Sequence, residues 1–160
     1  MTHRRSVVMA ASAAIVAVTL DAGTKRWADA SLGDVASRGG DLIQLRLSHN
    51  SGVAFGMLAG NGKLFGLLVP AVLLAIAVVI IRSRPATMGW LGAGLLIGGG
   101  LANAIDRLGD GRVTDFIDVG IAKQRWPTFN LADVFITFGC ALLVIDAYQA
   151  AVRETDSASP

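Results

Sequence analysis

The chain has 160 residues, of which 53% are hydrophobic, a mean hydropathy of +0.57 and a formal net charge of +2. This is the length of one domain, and the composition is too apolar for a water-soluble fold, so the chain reads as an integral membrane protein. Without a basic run or interleaved aromatic residues there is no reason to expect a nucleic-acid partner. The single cysteine, Cys140, can close no internal disulfide, and two histidines leave no metal-ligand spacing, so neither metal nor cofactor is expected.

His3, Arg4 and Arg5 precede an apolar run from residue 6 to 20 that ends in DAGTKRW. A short run before Ala28-Asp29-Ala30 could be a signal peptide with a small-residue cleavage site. Continued to Lys25, the same run is of membrane length with Trp27 at the interface, and it is read as the first span, residues 6–25. Between 28 and 63 the connection is polar. Within it Ile43, Leu45 and Leu47 alternate with Gln44, Arg46 and Ser48, the period of a half-buried strand. The stretch NSGVAFGMLAGNG that follows is too short to cross a bilayer and predicts a loop and a short interfacial helix.

Residues 64–81 carry no charge and predict a second span, kinked or entered at Pro70. After the basic turn at Arg82 and Arg84, residues 88–105 predict a third, in which Gly94 and Gly98 have the spacing that lets two helix backbones approach. In GRVTDFIDVG, Val113, Asp115, Ile117 and Val119 alternate as in a strand. Pro127 then breaks the chain, and Asn130 is placed to cap a fourth span at 131–152. The tail 153–160 is polar and predicted to be disordered. The fold expected is therefore an all-α integral membrane protein of a single domain, with four transmembrane helices, small extracytoplasmic β elements and the interfacial helix.

Four spans put both termini on one side. Arg4, Arg5, Arg82, Arg84 and Arg153 would lie there against nine basic residues on the other side, a raw count that runs against the positive-inside rule. The density of arginine in the two short near-side segments favours cytoplasmic termini. Trp90 and Tyr148 would mark the inner boundary, and Trp27 and Trp126 the outer one.

Polar residues gather on the outer side: Asp21 with Lys25, Asn50 with Gly52, Asn103 with Asp106 and Arg107, Asn130 with Asp133, and Asp115 between the last two groups. Carboxylates near hydrocarbon are costly to keep charged and mark function. Each also has a plain structural reading. Asp21 and Lys25, four apart on a helix, could be an ion pair where the helix leaves the membrane. Asp133 in a first helical turn suits the macrodipole. Asp115 could be a solvated strand residue, and Asp118 beside it, like Asp110, reads as a solvated or structural acid, a decoy that sequence alone does not dismiss. Two adjacent carboxylates sharing a proton would, however, supply both the base and the acid that peptide hydrolysis needs. Ser51 with Lys25 or Lys63 has no spacing that requires a meeting, Cys140 sits in an apolar run, and His49 suits a loop hydrogen bond. Asp146 lies too far along the last helix to join Asp133 and would reach the inner interface or pair with Arg82, Arg84 or Arg153. A proton-coupled transporter would spread its carboxylates across the bilayer depth, whereas these cluster on one face.

DAGTK at 21–25, NSGVAF at 50–55, GGGLANAIDR at 98–107 running into GRVTDF at 111–116, and FNLAD at 129–133 resemble, in order, the motifs of the bacterial lipoprotein signal peptidases, the signal peptidase II family. The resemblance covers nearly the whole chain. It implies an aspartic endopeptidase of the bacterial cytoplasmic (inner) membrane that acts without a cofactor. The implied enzyme cuts diacylglyceryl-modified prolipoproteins before the lipidated cysteine, with Asp115 and Asp133 as its catalytic dyad. It further implies that Asp21, Lys25, Asn50, Gly52, Asn103, Asp106, Arg107, Asn130 and Ala132 bind substrate or support the dyad. Its partners would be lipidated precursor and membrane lipid, with the chain acting as a monomer. One departure is Ala102, where the family usually has glycine. A lid over the site is expected at 50–63, and the helix N-terminus at Asp133 favours a negative charge there, making Asp133 the candidate base and Asp115 the holder of the proton.

Overall fold

The computed structural model describes residues 2–33, 38–51 and 62–158. Four helices dominate it: α1 (His3–Leu32), α2 (Gly62–Ser83), α3 (Thr87–Gly109) and α4 (Leu131–Ala158). Each is long and apolar enough to cross a membrane. Their outward faces carry side chains such as Ile15, Leu67 and Val144 with no protein against them, as expected where lipid replaces a protein core.

Of the four helices α3 is the central one, packed against α1, α2 and α4. Its sequence explains why. Glycine is a poor helix former in water, but in lipid the missing side chain lets backbones approach and gain van der Waals contact. A Cβ at Gly94 would strike the Ala10 carbonyl of α1, and one at Gly98 would lie 2.7 Å from Ala14 Cα. A Cβ at Gly99 would meet the Ala132 carbonyl of α4 at 2.5 Å, and one at Gly100 the Leu73 side chain of α2 at 2.8 Å. The Gly94 and Gly98 spacing thus serves the α1–α3 contact, and neighbouring glycines fit the other two helices. Ala102 is buried in this packing, which accommodates its methyl group.

Between the helices runs a four-stranded antiparallel sheet in the order β1 (Arg38–Gly39), β2 (Ile43–Asn50), β3 (Val113–Ile121), β4 (Gln124–Arg125). β2 and β3 pair Ile43 with Val119 and Leu45 with Ile117, then Ser48 with Asp115 after a bulge. The bulge gives β2 one extra residue and re-aims the strand before it reaches Asp115. Leu45, Leu47 and Ile117 close a small core over Ala28, Leu32 and Phe116. α1 supports the sheet because its 30 residues measure about 45 Å, against a hydrocarbon thickness of about 30 Å.

Several expectations are corrected. α1 does not stop at Lys25 but continues to Leu32, supplying the platform just described. The segment after Val152 is helical to Ala158 rather than disordered; its arginine and glutamate favour a helix even where the chain is polar. Trp90 does not face an interface: it is buried, its ring edge-on to His3 with centroids 5.5 Å apart. The interfacial helix and lid expected within 50–63, with Gly52, fall largely outside the described residues.

Candidate active site

Where α1 leaves the bundle, Asp21 and Lys25 stand one helical turn apart, both buried, facing the last turns of α3 and the start of α4. Burying an ammonium is tolerable only if its donors are met. The Lys25 Nζ meets Asp21 Oδ2 at 2.6 Å and Asn103 Oδ1 at 2.9 Å, with Asp106 Oδ2 at 2.7 Å as a second carboxylate in ion-pair contact. The other Asp21 oxygen accepts the Ala132 backbone N–H at 2.8 Å, so α1 holds the first turn of α4 directly. Backbone N–H groups in that turn have no intrahelical partner, and a carboxylate is their favoured acceptor.

Asn130 caps α4. Its Oδ1 accepts the Asp133 N–H at 3.0 Å, and its own N–H donates to Asp133 Oδ2 at 3.2 Å, a reciprocal box closed by an aspartate instead of the usual glutamate. These bonds leave the Asn130 amide nitrogen pointing inward. It donates to Asp115 Oδ1 at 2.7 Å and to Asn103 Oδ1 at 3.1 Å, while Asn103 Nδ2 donates to Asp133 Oδ1 at 2.8 Å. The orientation of both amides is dictated by chemistry. Lys25 can only donate, so the Asn103 atom facing it must be oxygen and its nitrogen must face Asp133. Asn130 likewise has its oxygen committed to the cap. The two amides thus form a bridge with one carboxylate at each end.

The two ends of the bridge differ. Asp133 is half-buried and accepts N–H donors on both oxygens. Asp115, on β3, is buried, and its pKa is pushed up to about 6. Burial is the main cause and the negative charge of Asp133 the next; hydrogen bonds from Asn130 and Asn50, and the Lys25 charge, pull the other way. Asp115 therefore feels Asp133 more strongly than it feels the Lys25 charge. Arg107 donates to the Asn103 carbonyl at 3.2 Å, with its charge acting on Asp133, Asp115 and Asp106. Asp21, Asp106, Asp115 and Asp133 thus face Lys25 and Arg107, four carboxylates against two cations.

The residues singled out from sequence accordingly come together, except Gly52, which lies outside the described residues. Others separate from them. Asp118 is neither solvated nor near the bridge: it is buried with Arg125 Nε at 2.9 Å and Arg46 Nε at 3.6 Å. Arg125 also donates to the Asp41, Gly120 and Asp118 carbonyls, tying the β3–β4 hairpin to the turn before β2. Sequence reasoning missed Arg125; the signal was an arginine seven residues past Asp118 across a tight hairpin. Asp110 lies exposed against Arg112, and His49 sits on β2 with its Nε2 at 3.5 Å from Asp29. Asp146 does not pair with an arginine as expected. Its carboxylate accepts the Ala86 and Gly89 N–H groups, each at 3.2 Å, and so caps α3 from α4. Among the described residues no three His, Cys, Asp or Glu side chains form a metal-holding group.

The chain is similar to known proteins over most of its length. A family model described as Signal peptidase (SPase) II matches residues 13–149. A lipoprotein signal peptidase of Gloeobacter violaceus is 37% identical over 155 residues, covering 92% of this chain and 86% of that one. Another from Syntrophomonas wolfei is 38% identical over 148 residues, covering 90% and 95%. Among solved structures, a bacterial membrane enzyme superposes with a TM-score of 0.75 at 28% identity, over 97% of this chain and 92% of the other.

Proposed function

The chain belongs to the signal peptidase II family of peptidases, and from that premise we propose that it removes the signal peptide from diacylglyceryl-modified prolipoproteins by cleaving before the lipidated cysteine, with Asp115 and Asp133 as the catalytic pair. The observation that carries this reading is the amide bridge, which presents two carboxylates of unequal environment to one space. Asp133, with both oxygens already accepting, serves as base; Asp115, whose pKa is raised by burial and by the charge of Asp133, is the member of the pair that delivers the proton in the fraction of enzyme that carries it.

Each proton in the reaction is accounted for. Asp133 takes a proton from water as the oxygen attacks the scissile carbonyl carbon, and Asp115 gives its proton to the carbonyl oxygen, leaving a tetrahedral gem-diol. On collapse Asp133 returns its proton to the departing amine and Asp115 recovers one from a diol hydroxyl. The C–N bond breaks and the shared proton is restored. Lys25, Asp21 and Asp106 touch no reacting atom in this scheme. They hold Asn103, and through it the bridge.

The packing of α3 supports a route for the substrate. Gly99 faces α4, Gly100 faces α2, and Asn103 stands one turn beyond both. A signal segment in the groove between α2 and α4 would reach the bridge from the lipid, with its acyl chains still in hydrocarbon. Residues 50–63 would cover the site as a lid. The protein would act as a monomer in the bacterial inner membrane, termini cytoplasmic and site on the outer face. Purified protein incubated with a lipidated precursor and with its unlipidated counterpart, followed by mass measurement, tests reaction, position and lipid requirement together. Cleavage of the lipidated form alone, before the modified cysteine, is expected; proton flux in liposomes without cleavage would replace the peptidase reading by a transporter.

A further inference from the structure

Residues 116–129 fold back on themselves as one hairpin, and its two open ends carry Asp115 and Asn130. Ile117 and Phe129 exchange backbone hydrogen bonds at 2.8 and 3.0 Å, the Trp126 N–H donates to the Val119 carbonyl at 2.7 Å, and Gly120 pairs with Arg125. One residue past the Ile117–Phe129 rung, the Asn130 amide meets Asp115 Oδ1. Hairpin register therefore decides which residue of the returning strand stands beside Asp115. A slip of one position moves a residue about 3.3 Å along its strand and turns its side chain to the other face, which would take Asn130 out of the bridge.

Little at the tip of the hairpin enforces that register. One residue separates Ile117 from Val119, whereas two separate Trp126 from Phe129, so the ladder is irregular opposite Asp118. The turn is Ala122-Lys123, with Ala122 at φ 51°, a conformation that glycine or asparagine adopts more readily. Ile121 is 73% exposed, so burial resists a slip only weakly there.

Arg125 supplies what the backbone does not. Its side chain crosses over Gly120, where a Cβ would lie 2.9 Å from the Arg125 Cδ. The guanidinium then binds β3 through Nε on Asp118 Oδ1 at 2.9 Å and Nη2 on the Asp118 carbonyl at 3.0 Å. Nη1 donates to the Gly120 carbonyl at 3.2 Å and to the Asp41 carbonyl, before β2, at 2.7 Å. Asp118 is buried, so its charge needs a cation in place, and a slipped hairpin would break all of these contacts together.

We propose that Asp118 and Arg125 are positioning residues of the active site, their ion pair locking the hairpin in the register that sets the Asn130 amide against Asp115. Neither touches a reacting atom; both act through Asn130. The effect on turnover rests on the proposed Asp115 and Asp133 reaction, and the effect on the Asp115 carboxyl does not.

Arg125→Met keeps the apolar stem and removes every donor. With lipidated precursor its kcat is expected to fall about tenfold to a hundredfold, the size of effect that misplaced groups produce, with KM little changed. The infrared band of the protonated Asp115 carboxyl should move to higher pH, because the displaced Asn130 amide favours the charged form. Arg125→Lys should recover little, since an ammonium cannot span the acceptors that the guanidinium reaches. Ala122→Asn with Lys123→Gly, a turn that closes two-residue hairpins in the strands' own twist, should restore most of the lost kcat to the Arg125→Met protein. If Arg125→Met loses helix content by circular dichroism, Asp118→Asn, equal in shape, carries the same measurements. Wild-type kcat with an unmoved Asp115 band would overturn the clip and leave the peptidase reading standing. A moved band in a protein whose wild type cleaves no lipidated precursor would support the clip and overturn that reading instead. A fall in kcat that the new turn fails to restore, or a loss confined to KM, would overturn register as the route.

Discussion

At both ends of the helix bundle a buried aspartate on one helix receives the first-turn N–H groups of another. On the sheet side Asp21 of α1 accepts Ala132 of α4; at the opposite end Asp146 of α4 accepts Ala86 and Gly89 of α3. The surroundings then diverge. Asp146 has backbone donors on both oxygens and its negative charge faces a helix N-terminus, a complete cap. Around Asp21 a lysine, an arginine, two amides and three further carboxylates interlock, and one of those carboxylates, Asp115, is buried with no salt bridge among the described residues. A saturated acid holds structure. An acid left short of compensating charge beside another acid is poised to exchange a proton.

Substitutions sharpen that contrast. Asp115→Asn or Asp133→Asn should lower turnover of lipidated precursor at least about a thousandfold, with helix content by circular dichroism unchanged. Asn103→Leu should displace Asp133 and leave one Lys25 donor unmet; a loss of about a hundredfold in kcat is expected from misplacement of that order.

The pH dependence of stability separates Asp115 from the structural acids. Its folded pKa, about 6, lies above the ordinary 3.8, so the folded state binds more protons between those values, and the stability this provides below about pH 4 is lost as pH rises through 6. Asp115→Asn removes that loss. Thermal unfolding in detergent at pH 7.5 should show the variant more stable by about 3 kcal/mol, with the difference vanishing at pH 4. The smallest effect falls at the other end: Asp146→Ala should cost about 1–2 kcal/mol of stability and leave kcat unchanged. A fall in kcat there would join two regions that the structure keeps apart.

The membrane helices were legible because long apolar runs have few other solutions, and Asn130 was legible as a cap because it lies between the break at Pro127 and an apolar run. The polar cluster was legible as four weak motifs in order. What stayed hidden depends on contacts that local pattern does not encode. Asp118 looked as free as Asp115 until the β3–β4 hairpin brought Arg125 back to it. Asp146 seemed to need an arginine because a backbone N–H on a distant helix leaves no mark in the sequence. The direct Asn103–Asn130 contact, whose partners are 27 positions apart, required α3 and α4 to be packed before it could be seen. α1's last two turns are polar and read as a loop, yet they carry the sheet's core on Ala28 and Leu32.

The central claim is a proton shared between Asp115 and Asp133, and infrared titration of the carboxyl groups in the wild type and the two asparagine variants tests it most directly. A protonated-carboxyl band is expected to titrate near pH 6 in the wild type, to be missing from Asp115→Asn, and to move to lower pH in Asp133→Asn, where the neighbouring negative charge is gone. A band that titrates identically in all three proteins would contradict the shared proton.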